Sequence, residues 1–197
     1  MQGRELIVSR AARFFREGDL VNLGIGMPTQ VANYLPDGVE IQLQSENGFI
    51  GIGPTPTAED WDHDVVNAGG QPASILAGGC TFDSCMSFGL IRGGHVDATV
   101  LGALEVDQEG NLANWIIPGK KVPGMGGGMD LVAGANLVIV TMEQKGNASN
   151  HRDKNRRPHE ERESVIKRAG DTIDRYPDSD KPVDNCNSHR EKPPFFA

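Results

Sequence analysis

Short apolar runs separated by glycine-rich turns dominate the first three quarters of the chain. These runs predict strands over residues 20–23, 39–43, 74–77, 98–106, 112–117 and 137–141. Apolar residues at helical spacing predict helices over 5–16, 28–34 and 83–91, with Gly18 ending the first and Pro28 beginning the second. A turn signal at 107–110 joins two strands as a hairpin, so the sheet is predicted to be mixed. The pattern indicates an α/β fold with an open, mainly parallel sheet and flanking helices.

The pattern changes after residue 143. Residues 1–143 have a net charge of −10 and hold 23 of the 25 glycines, whereas residues 144–197 have a net charge of +2 and few large apolar side chains. Such a segment cannot bury enough apolar surface to offset its conformational entropy. We therefore predict two regions: a folded core over 1–143, and a charged, disordered tail over 144–197 with a weak helix at 160–168.

Composition restricts the class of protein. The 197 residues suffice for one medium domain, and no run of 18 apolar residues predicts a membrane span. The first 20 residues mix arginines with acids and have no apolar segment typical of a secretory signal. A net charge of −8 disfavours nucleic acid as a partner, and three irregularly spaced cysteines are typical of reduced thiols. These features predict a cytoplasmic protein.

Residues 44–54 carry the chemistry of greatest interest. The predicted strand 39–43 is followed by Glu46, then Asn47-Gly48 and two further spaced glycines. The carboxyl ends of strands are where open α/β sheets form their ligand crevices, and glycines let a ligand approach the backbone. A carboxylate held there can act as a nucleophile. A glutamate before Asn-Gly is also typical of an ordinary turn, so this segment alone leaves both interpretations open.

Further motifs in the same order support the catalytic interpretation. They include Asn22-Leu23-Gly24-Ile25-Gly26-Met27-Pro28 before Glu46, and Ile91-Arg92-Gly93-Gly94-His95, Asn111-Leu112-Ala113-Asn114-Trp115, Pro118-Gly119-Lys120 and Gly124-Met125-Gly126-Gly127-Gly128-Met129-Asp130-Leu131 after it. Together the motifs resemble the B (beta) subunit of the family I, or 3-oxoacid, coenzyme A transferases. The resemblance runs from about residue 4 to 143. It is greatest to the acetate or butyrate–acetoacetate branch.

The resemblance implies a reaction and its catalytic residue. Glu46 would attack the carbonyl of an acyl-CoA to form an anhydride, and the released CoA thiolate would return to give a glutamyl-CoA thioester. A second carboxylic acid would then take over the CoA. Coenzyme A is thus a substrate, and no cofactor or metal is implied. This exchange needs oxyanion donors and exclusion of water, because anhydrides and thioesters hydrolyse.

The resemblance also implies supporting residues. Asn22, Gly127 and Gly128 match positions close to the reacting group, and alanine is common in the family where Gly128 stands. Gly24, Gly26 and Lys120 are weaker candidates for CoA binding. Gly24-Ile25-Gly26 before a helix also partly matches a dinucleotide fingerprint, but its third glycine is absent. His63, His95, Cys80 and Cys85 follow no standard zinc-ligand spacing.

The tail leaves the family pattern. The expected strands and helices are replaced by charged stretches such as 150–157, which is typical of a frameshift or of a variant tail with a binding role. The C-terminal part of the fold would then be missing, leaving an unpaired sheet edge. The resemblance implies a separate A subunit as partner in a hetero-oligomer. Succinyl-CoA:3-oxoacid or 3-oxoadipate transfer, and a catalytically dead remnant, remain alternatives.

Overall fold

The computed structural model describes residues 3–106, 111–117, 119–122, 124–143 and 165–168. Seven strands form one sheet in the order β4-β3-β2-β1-β5-β8-β9, and β6 and β7 form a separate antiparallel pair. The strands are β1 Leu20–Leu23, β2 Gln42–Ser45, β3 Phe49–Ile52, β4 Ile75–Thr81, β5 Ala98–Gly102, β6 Glu105–Val106, β7 Leu112–Ala113, β8 Leu137–Thr141 and β9 Val165–Arg168.

The centre of the sheet is parallel. Strands β2, β1, β5 and β8 pair in parallel, while β3, β4 and β9 pair antiparallel with their neighbours. Asn22 on β1 lies between Gln44 on β2 and Thr99 on β5 in the register. The predicted α/β class, with a mixed and mainly parallel sheet, is confirmed. The predicted turn at 107–110 lies outside the described residues.

Helices cover both faces of the sheet. Helix α1 spans Arg4–Ala12, α2 Ser84–Arg92 and α3 Gly128–Gly134, and a 3₁₀ helix spans Met27–Tyr34. The Asp83 carboxylate caps α2 by accepting a hydrogen bond from the Met86 N–H at 2.8 Å. No helix within the described residues is long and apolar enough to cross a membrane.

Two apolar clusters lie on opposite faces because successive strand residues point to opposite sides. The first packs α1 and the 3₁₀ helix onto the sheet, and its buried members are Val8, Ala11, Ala12, Phe15, Val21, Val31, Ala98, Val100 and Ile139. The second packs α2 and α3 onto the other face through Ile91, Val96, Leu101, Leu131, Ala135, Val138 and Val140. The strand positions used by one cluster alternate with those used by the other.

Several predicted boundaries were wrong. Residues 39–41 are not a strand, because Val39 and Ile41 pack against the first cluster from a loop. Strand β3 was not predicted, since Gly51 interrupts its apolar pattern; Gly51 has a φ of 90° and lies close to Gly79 on β4. The predicted strands 98–106 and 112–117 are shortened to β5, β6 and the two-residue β7.

The tail contributes a strand where a weak helix was predicted. Residues 165–168 form β9, which pairs antiparallel with β8 from Leu137 to Val140. Within the described residues β8 is therefore an inner strand, and β9 forms that edge of the sheet. β-branched Val165 and Ile166 favour a strand, and an available partner strand outweighs a weak helical preference.

Candidate functional site

Glu46 lies at the carboxyl ends of the parallel strands. It follows the last residue of β2 and is partly buried in the turn that leads to β3. A cleft of 1120 Å³ opens here, lined by segments that follow β1, β2 and β5 and by the glycine-rich segment 124–128. Among the described residues that line this cleft, Glu46 is the one ionisable side chain. The cleft therefore forms where the topology of an open α/β sheet predicts it.

Asn22 holds the Glu46 carboxylate from the neighbouring strand. Its Nδ2 atom donates to Glu46 Oε2 at 3.0 Å and to Gln44 Oε1 at 2.8 Å, with a longer contact of 3.3 Å to the Gln44 carbonyl oxygen. Asn22 is 1% exposed. Its Oδ1 atom is buried and accepts no hydrogen bond from the described part of the chain. The described contacts of this side chain thus all run through its NH₂ group.

Gln44 connects Asn22 to helix α2. Its Nε2 atom donates to Ser87 Oγ at 2.9 Å, and both residues are fully buried. Buried amides are costly unless each polar atom finds a partner. The described Gln44 side chain satisfies this condition at both ends, with Asn22 on one side and Ser87 on the other.

Gly127 leaves space beside the carboxylate. A Cβ atom built on it would lie 3.2 Å from the Phe88 ring and 3.5 Å from Glu46 Cγ. The backbone at Gly127 has a φ of −78°, which any residue can adopt. Glycine is therefore favoured here because a side chain would crowd Phe88, and not because of the backbone conformation. The start of α3 therefore approaches Glu46 through a glycine.

The turn after Glu46 is fixed to the start of α2. Gly48 has a φ of 132°, and a Cβ atom there would lie 2.1 Å from the carbonyl oxygen of Phe82. The Phe82 N–H donates to the Gly48 carbonyl oxygen at 2.8 Å. On the other side, the buried Ser45 Oγ accepts from the Ala68 N–H at 3.0 Å, which ties the loop before β4 to the end of β2. Glu46 is thus held from both flanks.

The structure brings together some of the predicted site residues and not others. Gly24, Gly127 and Gly128 line the cleft with Glu46, and Gly128 begins α3 with open space around it. Asn22 is not among the described residues that line the cleft; it is buried and contacts Glu46 through its hydrogen bond. Gly24 also packs closely on β5, where its N–H donates to the Val100 carbonyl oxygen at 2.8 Å.

Two of the weaker candidates lie outside this group. Gly26 precedes the 3₁₀ helix and has a φ of 90°. Lys120 is exposed in a tight turn, where its own N–H donates to the Ile117 carbonyl oxygen. Neither is among the described residues that line the cleft. The structure therefore gives no geometric support to CoA binding by Gly26 or Lys120.

Sequence reasoning missed Gln44 and Ser87. Gln44 lies two residues before Glu46 on β2 and pairs with Asn22 in the register, on the same face of the sheet. A polar residue at an inward-facing strand position is a usable signal for a buried network. Ser87 gives no comparable signal, since its contact with Gln44 depends on how α2 packs on the sheet.

The arrangement suits nucleophilic chemistry by a carboxylate. Glu46 is reachable from the cleft, and an amide N–H is directed at one of its oxygens. An amide donor can stabilise an oxyanion without losing a proton itself. No group of three or more His, Cys, Asp or Glu side chains that could hold a metal ion occurs among the residues described.

Comparison with known proteins gives a family match over most of the chain. The family model described as Coenzyme A transferase matches residues 4–153. The beta subunit of the acetate CoA-transferase of Escherichia coli (strain K12) is 62% identical over 143 residues, which cover 73% of this chain and 65% of that protein. The B subunit of the probable succinyl-CoA:3-ketoacid coenzyme A transferase of Bacillus subtilis (strain 168) is 54% identical over 142 residues, covering 72% of this chain and 66% of that protein. The chain thus spans slightly less than two thirds of the length of both relatives.

Solved structures share the fold. The apoenzyme of an acyl-CoA transferase from Escherichia coli O157:H7 superposes with a TM-score of 0.52 at 22% sequence identity, covering 74% of this chain and 27% of that chain. At this identity the likeness concerns the fold alone. It agrees with the mixed sheet and flanking helices described above.

Proposed function

Because this chain belongs to the coenzyme A transferase family, we propose that it is the B subunit of a heteromeric enzyme that moves CoA between an acyl-CoA and a carboxylic acid. The relatives that support this are named as the beta or B subunits of CoA transferases. We propose a separate A subunit as the partner in a hetero-oligomer.

Glu46 is proposed as the nucleophile. Its carboxylate attacks the thioester carbonyl of the acyl-CoA, which expels CoA thiolate and forms a glutamyl–acyl anhydride. The thiolate then attacks the glutamyl carbonyl, which releases the first acid and leaves a glutamyl-CoA thioester. A second carboxylate attacks this thioester to form a new anhydride and release the thiolate, which then attacks the acyl carbonyl. The new acyl-CoA leaves and Glu46 is restored, so no net hydrolysis occurs.

The observation that carries this proposal is the contact between Asn22 and Glu46. The Asn22 Nδ2 atom lies 3.0 Å from Glu46 Oε2. Each addition step places negative charge on an oxygen close to this carboxylate, where the N–H can stabilise it. Glu46 and Gly127 both line the open cleft, which supports the approach of an acyl group or of the sulfur of CoA to the carboxylate.

The proposed acids are short-chain or 3-oxo monocarboxylic acids, of the acetate, butyrate and acetoacetate class. The higher identity to the relative named for acetate transfer supports this choice. Succinyl-CoA:3-oxoacid transfer is the second candidate, and the 54% identity to the Bacillus subtilis relative favours it. A panel of acceptor acids distinguishes them: acetate and butyrate should accept CoA faster than succinate under the first proposal, and more slowly under the second.

A covalent adduct on Glu46 is the decisive test. The full chain is co-expressed with its A subunit and incubated with acetoacetyl-CoA, and the peptides are then analysed by mass spectrometry. We expect a CoA adduct, or its borohydride-reduced product, on the peptide that carries Glu46. Glu46→Gln should abolish it, because an uncharged amide is a poor nucleophile.

Glu40→Gln is the matched control. Glu40 is an exposed glutamate six positions earlier, so its replacement changes the charge by the same amount and leaves the cleft intact. The adduct should persist in this variant. A soluble two-subunit complex without any adduct would contradict the proposal and favour a catalytically inactive subunit.

A further inference from the structure

We infer that Ser87 and Gln44 are positioning residues that hold the Asn22 amide in the orientation required for donation to Glu46. This inference rests on the proposed function of Glu46. The three residues Ser87, Gln44 and Asn22, here called the amide chain, join helix α2 to the reacting carboxylate through two hydrogen bonds, of 2.9 Å and 2.8 Å, followed by the 3.0 Å bond to Glu46.

The direction of hydrogen-bond donation along the amide chain follows from Glu46. An ionised carboxylate only accepts hydrogen bonds, so it requires the NH₂ end of Asn22 to face it. That NH₂ group has two hydrogens: one is directed at Glu46 Oε2 and the other at Gln44, where the side-chain Oε1 at 2.8 Å is closer than the carbonyl oxygen at 3.3 Å. Because Oε1 accepts from Asn22, the NH₂ end of Gln44 must face α2, where Ser87 Oγ accepts from it.

Among the described residues, only Gln44 and Glu46 form hydrogen bonds with the Asn22 side chain. Its Oδ1 atom accepts no hydrogen bond within the described structure, so the amide is oriented through the NH₂ group alone. If the amide turned over, Oδ1 would face the oxygens of both Glu46 and Gln44, and three acceptors would meet without a donor. Gln44 therefore fixes the rotation of the Asn22 side chain, and Ser87 fixes that of Gln44.

Burial makes each link matter. Asn22 and Gln44 are 1% exposed and Ser87 is 0% exposed, so water cannot readily replace a lost partner. Removing the Ser87 hydroxyl leaves the Gln44 NH₂ group without its described acceptor, which favours other rotamers of Gln44. The expected consequence is a misdirected Asn22 donor and a slower chemical step, with binding of the acyl-CoA little changed.

A double-mutant cycle tests the inference. The rate of CoA-adduct formation on the Glu46 peptide is measured in single turnovers with acetoacetyl-CoA, using the complete two-subunit complex. We expect Ser87→Ala to lower this rate roughly tenfold, with the acetoacetyl-CoA concentration at half-maximal rate changed by less than about twofold. Asn22→Ala should lower the rate by about 10²-fold, and the double variant should be no slower than Asn22→Ala alone. A residue that only stabilised the fold would instead lower the rate by the same factor in both backgrounds.

Ser9→Ala is the matched control. Ser9 is also a largely buried helical serine, but its Oγ donates to the Leu6 carbonyl oxygen of its own helix at 3.0 Å, on α1. It should retain the full rate. If Ser87→Ala does not yield a folded complex, Gln44→Met, which removes both links but keeps the side-chain length, should show the same dependence on Asn22.

The outcomes separate the inference from the proposed function. No adduct in the unaltered complex would overturn both. An adduct that forms at the unaltered rate in Ser87→Ala, or effects of Ser87→Ala and Asn22→Ala that multiply, would overturn the role of the amide chain alone.

Discussion

The two faces of the sheet are built from alternate residues of the same strands, but they differ in polarity. On the α1 face, Val21, Ala98, Val100 and Ile139 are fully or almost fully buried and apolar. On the α2–α3 face, the register places Gln44, Asn22 and Thr99 side by side, all buried and all polar. Val138 on β8 continues this row as an apolar residue.

The difference shows where the chain builds stability and where it builds the site. Apolar burial on the α1 face contributes roughly 25 cal/mol per Å². The polar row on the other face contributes little unless its hydrogen bonds are made, and the Oγ1 atom of Thr99 and the Oδ1 atom of Asn22 have no partner in the described structure. Functional sites commonly carry such a cost in stability.

Neighbouring residues on the two faces give the sharpest test of this comparison. Val21→Ala should lower the free energy of unfolding by about 2 kcal/mol, because two buried methyl groups are lost, while the kcat of the folded protein stays unchanged. Asn22→Ala should lower kcat by about 10²-fold, because the amide donor to Glu46 is lost. Urea unfolding and steady-state kinetics on both variants measure the two quantities. Equal losses of kcat in the two variants would contradict the division between the faces.

Gly127 tests how closely the α2–α3 face is fitted around Glu46. Gly127→Ala introduces a methyl group 3.2 Å from the Phe88 ring, which must shift by a few tenths of an ångström, and in van der Waals contact with Glu46 Cγ at 3.5 Å. We expect kcat to fall roughly tenfold. Gly89→Ala on α2 is the matched control, because a methyl group there meets no atom within 4 Å. It should keep its kcat and gain about 0.5–1 kcal/mol of stability, since alanine favours a helix. Full activity in Gly127→Ala would show that Phe88 yields freely.

Asp19 immediately precedes β1, at the end of the strand remote from the cleft. Its replacement is expected to give the smallest change, a pH-dependent change in stability. Burial raises the pKa of Asp19 above its ordinary value of 3.8, and the nearby Asp97 carboxylate acts in the same direction. The N–H of Arg16, which donates to Asp19 Oδ2 at 2.8 Å, and the charge of Arg16 oppose these effects.

The sign of the pH dependence follows from this raised pKa. The folded state binds the proton more tightly than the unfolded state, so the Asp19 contribution to stability falls as pH rises from 3.8 through the raised folded value. Asp19→Asn keeps the acceptor and removes the charge. Its stability relative to the unaltered chain should therefore increase across this window and level off above it, with kcat unchanged. Denaturant unfolding of both proteins over this pH range measures the difference. A constant difference across the window would contradict the prediction.

Elements with an uninterrupted local pattern were predicted closely from the sequence. Strands β1 and β8 have the predicted bounds, and α2 begins one residue later than predicted, after the Asp83 cap. Prediction failed where tertiary contacts override local pattern. The apolar residues Val39 and Ile41 led to the prediction of a strand. They are apolar because they pack against the cluster on the α1 face from a loop. Two β-branched residues at 165–166 are too short a pattern to predict β9, which pairs with the neighbouring strand β8.

The site was predictable only in part for the same reason. The positions of Glu46 after a strand and of Asn22 on its neighbour follow from motifs that lie at strand ends. Gln44 and Ser87 belong to the site through side-chain contacts between β2 and α2, which depend on packing. Lys120 was a weaker candidate for CoA binding, but it lies in a turn closed by its N–H bond to the Ile117 carbonyl oxygen and is not among the described residues that line the cleft.

The tight turn at Gly48 has a consequence for the mobility of the site. Helix α2 and the residues just before it are joined to the segment around Glu46 at two points: the Phe82 N–H donates to the Gly48 carbonyl oxygen, and Ser87 on α2 accepts from Gln44. With the intervening backbone, these two bonds close a ring that contains Glu46. The ring therefore restricts the degrees of freedom of the carboxylate before any substrate arrives, so the site is preorganised by covalent and hydrogen-bonded closure together.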